Sequence, residues 1–235
     1  MKFGLRIAAA ALVAATFSTV VAPVASAGNP AGNFQIKAGY TGILWDNENG
    51  GIIINGARAA GGDAAVRDLS LPTASLTYYL TRNIGLELFC CFAHAKVHAK
   101  GSLVGLGQVA DTWTFPPALT LKYNFDGMGA LVPYIGVGAQ WVHYFNEKSK
   151  IGGFTNVDFK DSFGFVAQAG FDYNLGSGWS IGLDVKKVWE DTKITWTNTA
   201  GGRITTQHDL DPLLITANIG YRFDLFGRSA AAPLK

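Results

Sequence analysis

The sequence predicts an all-β protein, an eight-stranded antiparallel transmembrane β-barrel with short periplasmic turns and long extracellular loops. Three observations predict this fold. Eight segments alternate apolar and polar residues with period two, short and long connections alternate between those segments, and each segment has one face that is more apolar and aromatic than the other. The composition agrees, because 29 glycines, 12% aromatic residues and only 15% charged residues suit close strand packing and interfacial aromatic belts.

The last predicted strand, 209–223, shows the alternation most clearly. One face is apolar and ends in two aromatic residues; it consists of Leu213, Ile215, Ala217, Ile219, Tyr221 and Phe223. The other face has small and polar residues with a cation near its end; it consists of Leu214, Thr216, Asn218, Gly220 and Arg222. A membrane barrel turns the apolar face to lipid and the polar face to the lumen. A soluble lipocalin-like barrel is the alternative, but its apolar face would point inward.

The first half of the chain supplies four predicted strands, at 33–45, 71–80, 84–92 and 112–125. The intervening segment 46–68 is rich in Gly, Asn and Ala and reads as a long loop with a short hairpin at 51–55. The third strand fades through His94, Lys96 and His98 into a Gly-rich loop at 101–111. In the fourth strand, Pro116 and Pro117 remove backbone donors, which predicts an irregular or bulged upper part.

The second half supplies the other four strands, at 132–145, 163–173, 179–189 and 209–223, with polar loops at 146–161 and 193–207. A continuation of the third of these strands beyond Trp189 is left open. Segment 127–146 carries no charged residue and is long enough for a transmembrane helix. Its period-two pattern and its Gly and Pro content favour a strand instead. The short connections follow Leu80, Phe125 and Leu175, and the long ones follow Trp45, Phe92, Phe145 and Trp189.

Residues 1–27 are predicted to be a cleaved signal peptide. Lys2 and Arg6 precede an apolar, Ala-rich stretch, and the A-S-A motif at 25–27 is typical of a peptidase site, so the mature chain would begin at Gly28. A retained N-terminal membrane helix is the alternative. The prediction is that the protein is exported.

The mature chain is expected to form one barrel over 28–223 in the bacterial outer membrane, followed by a periplasmic tail at 224–235. The whole chain has a formal charge of +2, and removing Lys2 and Arg6 leaves it neutral. A neutral chain without clustered Lys and Arg gives no electrostatic reason to bind nucleic acid. Nucleic acid is therefore excluded as a partner.

Charged residues on the predicted lumen side lie close to the short turns. They are Lys37, Glu87, Lys122, Asp172, Asp184 and Arg222, three cations and three anions at similar height. Such groups inside a narrow barrel must pair or remain buried without compensation. The sequence therefore predicts a plug of salt bridges near the periplasmic mouth.

Farther from the short turns, the residues predicted to face the lumen become apolar. They are Ile43, Trp45, Phe89, Val142, Val166, Val188 and Leu214. They predict a hydrophobic pocket above a charged floor, whereas a general water-filled porin needs polar walls and more strands. The alternative is an interior in which these side chains simply pack together.

A pocket with a charged floor has a consequence for any small apolar molecule that enters from outside. The molecule could not pass straight down, so it would leave sideways through the barrel wall into the membrane. Pro116, Pro117 and Pro212 lack the N–H groups that a strand ladder needs and are candidates for a lateral opening.

No catalytic residue, metal site or cofactor is predicted. The histidines fall near predicted loop ends without a spaced Ser partner that resembles a known catalytic motif; they are His94, His98, His143 and His208. The first two lie about 13 Å apart on an extended strand, too far to share a metal ion. Cys90 and Cys91 point to opposite faces, so they are expected to be small apolar strand residues without a mutual disulfide.

Five segments resemble the OmpW family of outer-membrane proteins, in the order in which the family carries them. They are L-P-T-A-S-L-T-Y-Y-L-T-R-N-I-G-L-E-L at 71–88, P-P-A-L-T-L-K-Y-N-F at 116–125, P-Y-I-G-V-G at 133–138, D-S-F-G-F-V-A-Q-A-G-F-D-Y at 161–173 and D-L-D-P-L-L-I-T-A-N-I-G-Y-R-F at 209–223. The resemblance implies an eight-stranded barrel with a narrow hydrophobic channel, proposed in the family to move small hydrophobic molecules across the outer membrane by lateral exit.

The C-terminus departs from that family pattern. A terminal aromatic residue that resembles an outer-membrane insertion signal usually closes the chain, whereas here Phe223 is followed by 224–235. Either Phe226 is the effective end or the tail extends into the periplasm.

The expected function is therefore passive uptake of small hydrophobic molecules, with outer-membrane lipid and such a solute as partners and no enzymatic activity. A structural, adhesive or receptor barrel without transport is the alternative. In that case the extracellular loops would contact a ligand that the sequence does not identify.

Overall fold

The computed structural model describes residues 33–45, 52–58 and 61–225. The predicted signal peptide, Phe226 and the tail beyond Leu225 lie outside the described residues. The described chain forms strands and one short 3₁₀ helix, Val104–Leu106. No helix in these three ranges is long and apolar enough to cross a membrane.

Fifteen strands run along the described chain. Those of the first half are β1 (Phe34–Leu44), β2 (Ile52–Ile54), β3 (Ala57–Arg58), β4 (Gly62–Val66), β5 (Leu69–Tyr79), β6 (Ile84–Cys90), β7 (Ala93–Gly101), β8 (Gln108–Phe115) and β9 (Ala118–Asn124). Those of the second half are β10 (Leu131–Ser149), β11 (Asn156–Phe159), β12 (Ser162–Gly176), β13 (Trp179–Thr197), β14 (Arg203–Asp209) and β15 (Leu213–Phe223).

Eight of these strands pair antiparallel into a closed ring, which confirms the predicted barrel. The order around the ring is β1, β5, β6, β9, β10, β12, β13, β15 and back to β1. The closing ladder pairs Phe34 with Phe223 at one end and Leu44 with Leu213 at the other. Closure leaves the ring without a free edge, as a strand structure in lipid requires.

The two faces of the ring differ as the alternation predicts. Large apolar side chains such as Ile36, Leu88, Leu121 and Val137 are exposed on the outside. Inward positions are buried, and many of them are polar or charged. The outer face is therefore the one that meets lipid, and no soluble barrel would present it to water.

The long connections were predicted as loops, and this prediction is wrong for most of their length. Segment 93–101 continues as β7, β10 extends to Ser149, β13 extends to Thr197, and β14 occupies 203–209. Together with β2, β3, β4, β8 and β11 they extend the barrel wall upward as two sheets. Strand pairing there satisfies the hydrogen-bonding groups of the backbone. The strands were missed because polar residues outside the membrane obscure the alternation of apolar residues in the sequence.

Three smaller predictions about the strands can be compared with the structure. The short hairpin expected near 51–55 is present as β2 and β3, which pair through Ile53 with Arg58. The proline-induced irregularity is confirmed, since β8 ends at Phe115 and β9 begins at Ala118. The charge-free segment 127–146 contributes a strand, β10, rather than a helix.

Candidate functional site

The barrel interior has two layers of different chemistry. A polar layer lies toward the short turns and contains buried Lys, Asp and Glu side chains, and an apolar layer lies above it. Because inward residues alternate with lipid-facing ones on every strand, the ring itself places these side chains in the lumen.

Three lysines and three acids pair within the polar layer. Lys37 Nζ lies 2.6 Å from Asp172 Oδ1, and Lys122 Nζ lies 3.0 Å from Glu87 Oε2. Lys186 Nζ lies 2.5 Å from Asp184 Oδ1 and 3.1 Å from Glu87 Oε1. All six side chains are almost fully buried, so the layer is a compensated network and not a set of isolated charges.

Neutral groups complete the hydrogen bonding of this layer. Gln168 Nε2 donates to Glu87 Oε1 at 2.8 Å and to Asp184 Oδ2 at 2.6 Å, and Gln168 Oε1 accepts a hydrogen bond from the Thr120 hydroxyl at 2.8 Å. The Tyr134 hydroxyl donates to Asp184 at 2.8 Å, and the Lys122 ammonium lies 3.7 Å from the centre of the Tyr134 ring. The network therefore spans the lumen from wall to wall.

The structure brings together five of the six residues predicted for the plug. The sixth, Arg222, lies beside the layer with its guanidinium 5.2 Å from the centre of the Tyr79 ring. Lys186 takes the place of the third cation, and sequence reasoning missed it. The available signal was its inward position two residues after Asp184 on the same strand.

The residues predicted for the apolar pocket fall into two adjoining buried clusters. Five of them, Ile43, Phe89, Val166, Val188 and Leu214, share the lower cluster. Trp45 packs against both clusters, and Val142 belongs to the upper one.

An apolar cavity lies above the polar layer. Its volume is about 40 Å³. Of the predicted residues, Ile43, Trp45, Val142 and Leu214 line it, whereas Phe89, Val166 and Val188 are buried without lining it. Further lining residues that the sequence analysis missed include Val66, Ala93, Ala95, Val97, Ile194 and Leu210.

The missed cavity residues on β7 had a readable signal. Ala93, Ala95, Val97 and Ala99 are buried and alternate with His94, Lys96, His98 and Lys100. This alternation has a period of two, but its apolar members are small, so the segment looked like the end of a strand.

The three prolines lie at breaks between the ring and its upward extensions. The backbone N–H of Trp141 donates to the Pro117 carbonyl at 3.0 Å, and the backbone N–H of Val188 donates to the Pro212 carbonyl at 3.0 Å. These bonds keep one side of each proline segment attached to its neighbouring strand. Pro116 and Pro212 also line the cavity.

The ladder on the other side of Pro116 and Pro117 is interrupted. The pairing of β6 with β9 ends at Phe89 and Ala118, and the pairing of β7 with β8 begins at Ala93 and Thr114. On the opposite side of β6, pairing with β5 ends at Ala74 and Cys90. The segment at Cys91 and Phe92 is therefore held less firmly than its neighbours, and the buried Cys91 lines the cavity.

The histidines and cysteines form no cluster in this region. His94 Nε2 lies 3.8 Å from Asp111 and His143 Nδ1 lies 3.0 Å from Asp161. Cys90 and Cys91 are free thiols. Within 33–45, 52–58 and 61–225, no group of three or more His, Cys, Asp or Glu side chains could hold a metal ion.

Comparison with known proteins agrees with this architecture. An uncharacterized outer-membrane protein, y4mB, of Sinorhizobium fredii is 34% identical over 81% of this chain and 80% of its own length. The crystal structure of the outer membrane protein OprG of Pseudomonas aeruginosa superposes with a TM-score of 0.78 at 29% identity, covering 83% of this chain and 98% of that one. The solid-state NMR structure of the outer membrane protein AlkL in lipid bilayers superposes with a TM-score of 0.70 at 26% identity, covering 92% of this chain and 100% of that one.

The relatives also define where the protein resides and what kind of protein it is. They are outer-membrane proteins, and the solved ones are barrels of the same type. The protein is accordingly a bacterial outer-membrane barrel and not an enzyme. The sequence model of the OmpW family matches residues 30–223, and the chain belongs to that family.

Proposed function

We propose that this barrel is a narrow hydrophobic path for passive uptake of small hydrophobic molecules, which enter from outside and leave sideways into the membrane. One observation supports the proposal above others. An apolar cavity ends on a layer in which Lys37, Lys122 and Lys186 pair with three buried acids. We assign the pocket role to the predicted residues that line this cavity, Ile43, Trp45, Val142 and Leu214, and the plug role to the residues that form the ion pairs.

The two layers favour one class of solute. An apolar molecule gains roughly 25 cal/mol for each Å² that it removes from water in the cavity. Straight passage downward would require opening the network around Glu87, and separating one buried ion pair costs about 3–5 kcal/mol. A sideways route into lipid avoids that cost, because the solute stays in apolar surroundings.

We assign the exit to the wall around Cys91 and Phe92. Both ladders of β6 end there, Pro116 and Pro117 interrupt the neighbouring strand, and Cys91 lines the cavity. Pro212, which also lines the cavity, is a second candidate for the opening because it lacks the backbone N–H that a strand ladder needs.

A disulfide across this wall tests the assignment. Continuing the register beyond Ala74 and Cys90 places Thr73 opposite Cys91, and both side chains are buried and point inward. In a Thr73→Cys, Cys90→Ser variant, oxidation would hold the two Cα atoms within about 7 Å of each other and close the exit. We expect slower uptake of radiolabelled n-octane by intact cells, with recovery after reduction.

The matched control places a disulfide lower on the same two strands. Tyr78 and Leu86 are register partners in the intact part of the ladder, and both point outward. In a background without Cys90 and Cys91, cysteines at these two positions should leave uptake unchanged. If the protein does not accelerate n-octane uptake in any redox state, a structural or adhesive barrel becomes the better account.

A further inference from the structure

The apolar cavity contains one buried carboxyl group that the uptake proposal does not use. Glu190 lies on β13, lines the cavity and is only 5% exposed. Its Oε2 atom makes no hydrogen bond of good geometry in the described part of the chain, and the Ser162 hydroxyl is a donor near enough to influence the carboxyl group. A carboxyl oxygen buried without a donor is energetically unfavourable unless something else supplies the hydrogen bond.

A second polar residue of the cavity wall lies two strands away from Glu190. Gln140 on β10 is paired with Gly164 on β12, and Gly164 is paired with Glu190 on β13. The three residues therefore form a row across adjacent strands, all with inward orientation. Gln140 also lines the cavity and is 6% exposed.

Gly164 in the middle of this row allows the neighbouring strands to approach closely. A Cβ atom there would lie 2.9 Å from the Glu190 Cβ and 2.8 Å from the Trp189 carbonyl oxygen, so no larger residue fits. Two strand spacings separate the outer members of the row by roughly 10 Å. Because Gln140 and Glu190 both line the cavity, one small polar group of a solute can lie between the Gln140 amide and the Glu190 carboxyl.

Neighbouring cations are committed to other partners. Lys187 donates to the Asp211 carbonyl oxygen at 2.5 Å, and Lys186 pairs with Asp184 and Glu87 in the polar layer. The Asp211 carboxylate accepts the backbone N–H of Glu190 at 3.1 Å and cannot donate to its side chain when ionised. These contacts fix the backbone of Glu190, whose side chain lines the cavity, and the two lysines donate elsewhere.

We infer that the cavity selects apolar molecules that carry one hydroxyl group, with the hydroxyl held between Glu190 and Gln140. A hydroxyl group can donate to the Glu190 oxygen and accept from the Gln140 amide at the same time. A hydrocarbon satisfies neither residue, an ammonium group cannot accept from Gln140, and a carboxylate would be repelled by Glu190. The inference rests on the proposed uptake function for its physiological meaning, but the binding site stands on its own geometry.

Uptake of two matched solutes tests the selectivity. Radiolabelled 1-octanol and n-octane would be presented to intact cells that carry the wild type, Glu190→Leu or Glu190→Gln. Loss of a hydrogen bond of this kind should lower the protein-dependent uptake of 1-octanol by roughly 3- to 10-fold in Glu190→Leu. Uptake of n-octane should stay unchanged, and Glu190→Gln, which keeps an acceptor oxygen, should retain most of the octanol uptake.

Binding is measured separately, so that failure of the inference can be told from failure of the uptake proposal. In NMR spectra of the full chain in lipid nanodiscs, 1-octanol should shift the Gly164 amide and the Gln140 side-chain amide, n-octane should not, and Glu190→Leu should abolish the shift. Absence of the shift in wild type, or an equal fall in uptake of both solutes in Glu190→Leu, would overturn the inference. If wild type accelerates neither solute, the uptake proposal fails and the NMR result alone decides the site.

Discussion

Replacement of Lys122 by methionine is expected to destabilise the folded barrel by about 3 kcal/mol, at the lower end of the range for breaking a buried ion pair. Lys122 is fully buried and lies 3.0 Å from Glu87 Oε2. Its removal leaves an excess negative charge in the layer, although Lys186 and Gln168 still contact Glu87. The midpoint and slope of reversible urea unfolding from lipid vesicles would measure the change.

Two further variants show whether the effect comes from charge balance. Adding Glu87→Gln to Lys122→Met restores equal numbers of cations and anions, so the double variant should recover at least half of the lost stability. Lys150, which is partly exposed and lies 3.4 Å from Asp111, is a control for which methionine should cost less than about 1 kcal/mol. Equal losses for Lys122→Met and the double variant would show that packing, and not charge compensation, explains the first result.

Replacement of Ala93 by phenylalanine is expected to reduce protein-dependent uptake of n-octane by at least roughly tenfold, since a solute that shares the cavity with the added ring would overpack it, at a cost of about 1–3 kcal/mol. Ala93 is 5% exposed, lines the cavity and follows the segment at Cys91 to which we assign the exit. The new ring would occupy the space through which the solute passes. Initial uptake rates in intact cells, corrected for the amount of folded protein, give the measurement.

The same substitution on the outer face is the matched control. Ala139 is exposed on β10, so Ala139→Phe adds a phenyl ring toward lipid and should leave uptake unchanged. If Ala93→Phe does not fold, Val166→Trp adds bulk to the lower apolar cluster and should have the same effect. Wild-type uptake rates in folded Ala93→Phe or Val166→Trp would argue against the cavity as the solute path.

The sequence predicted the barrel and the orientation of most side chains because lipid imposes a strict alternation. Lys37, Asp172 and Leu214 could each be assigned to the lumen from their place in a period-two pattern. Which charges pair could not be predicted, because pairing depends on the register between strands that are far apart in sequence. Lys186 joins Glu87 in this way, across the lumen from β6 to β13.

The upper wall was harder to predict for a different physical reason. Above the membrane the outer face of the wall meets water and carries polar residues. The sequence there lacks the contrast between an apolar lipid-facing side and a polar lumen-facing side that identifies the membrane strands. The strand predicted at 179–189 had no clear end beyond Trp189, and β13 continues through Glu190 to Thr197. The row of Gln140, Gly164 and Glu190 depends on that continuation, and no single strand contains its pattern.

The position of a bound apolar solute tests the account most directly. Crystals of the full chain soaked with 1-bromooctane would locate the bromine atom by anomalous scattering. We expect the peak among Val66, Val97, Ile194 and Leu210, above the layer of Lys186, Asp184 and Glu87. A peak on the barrel axis between Lys37 and Asp172 would show that the charged layer opens to the solute, and would contradict lateral exit.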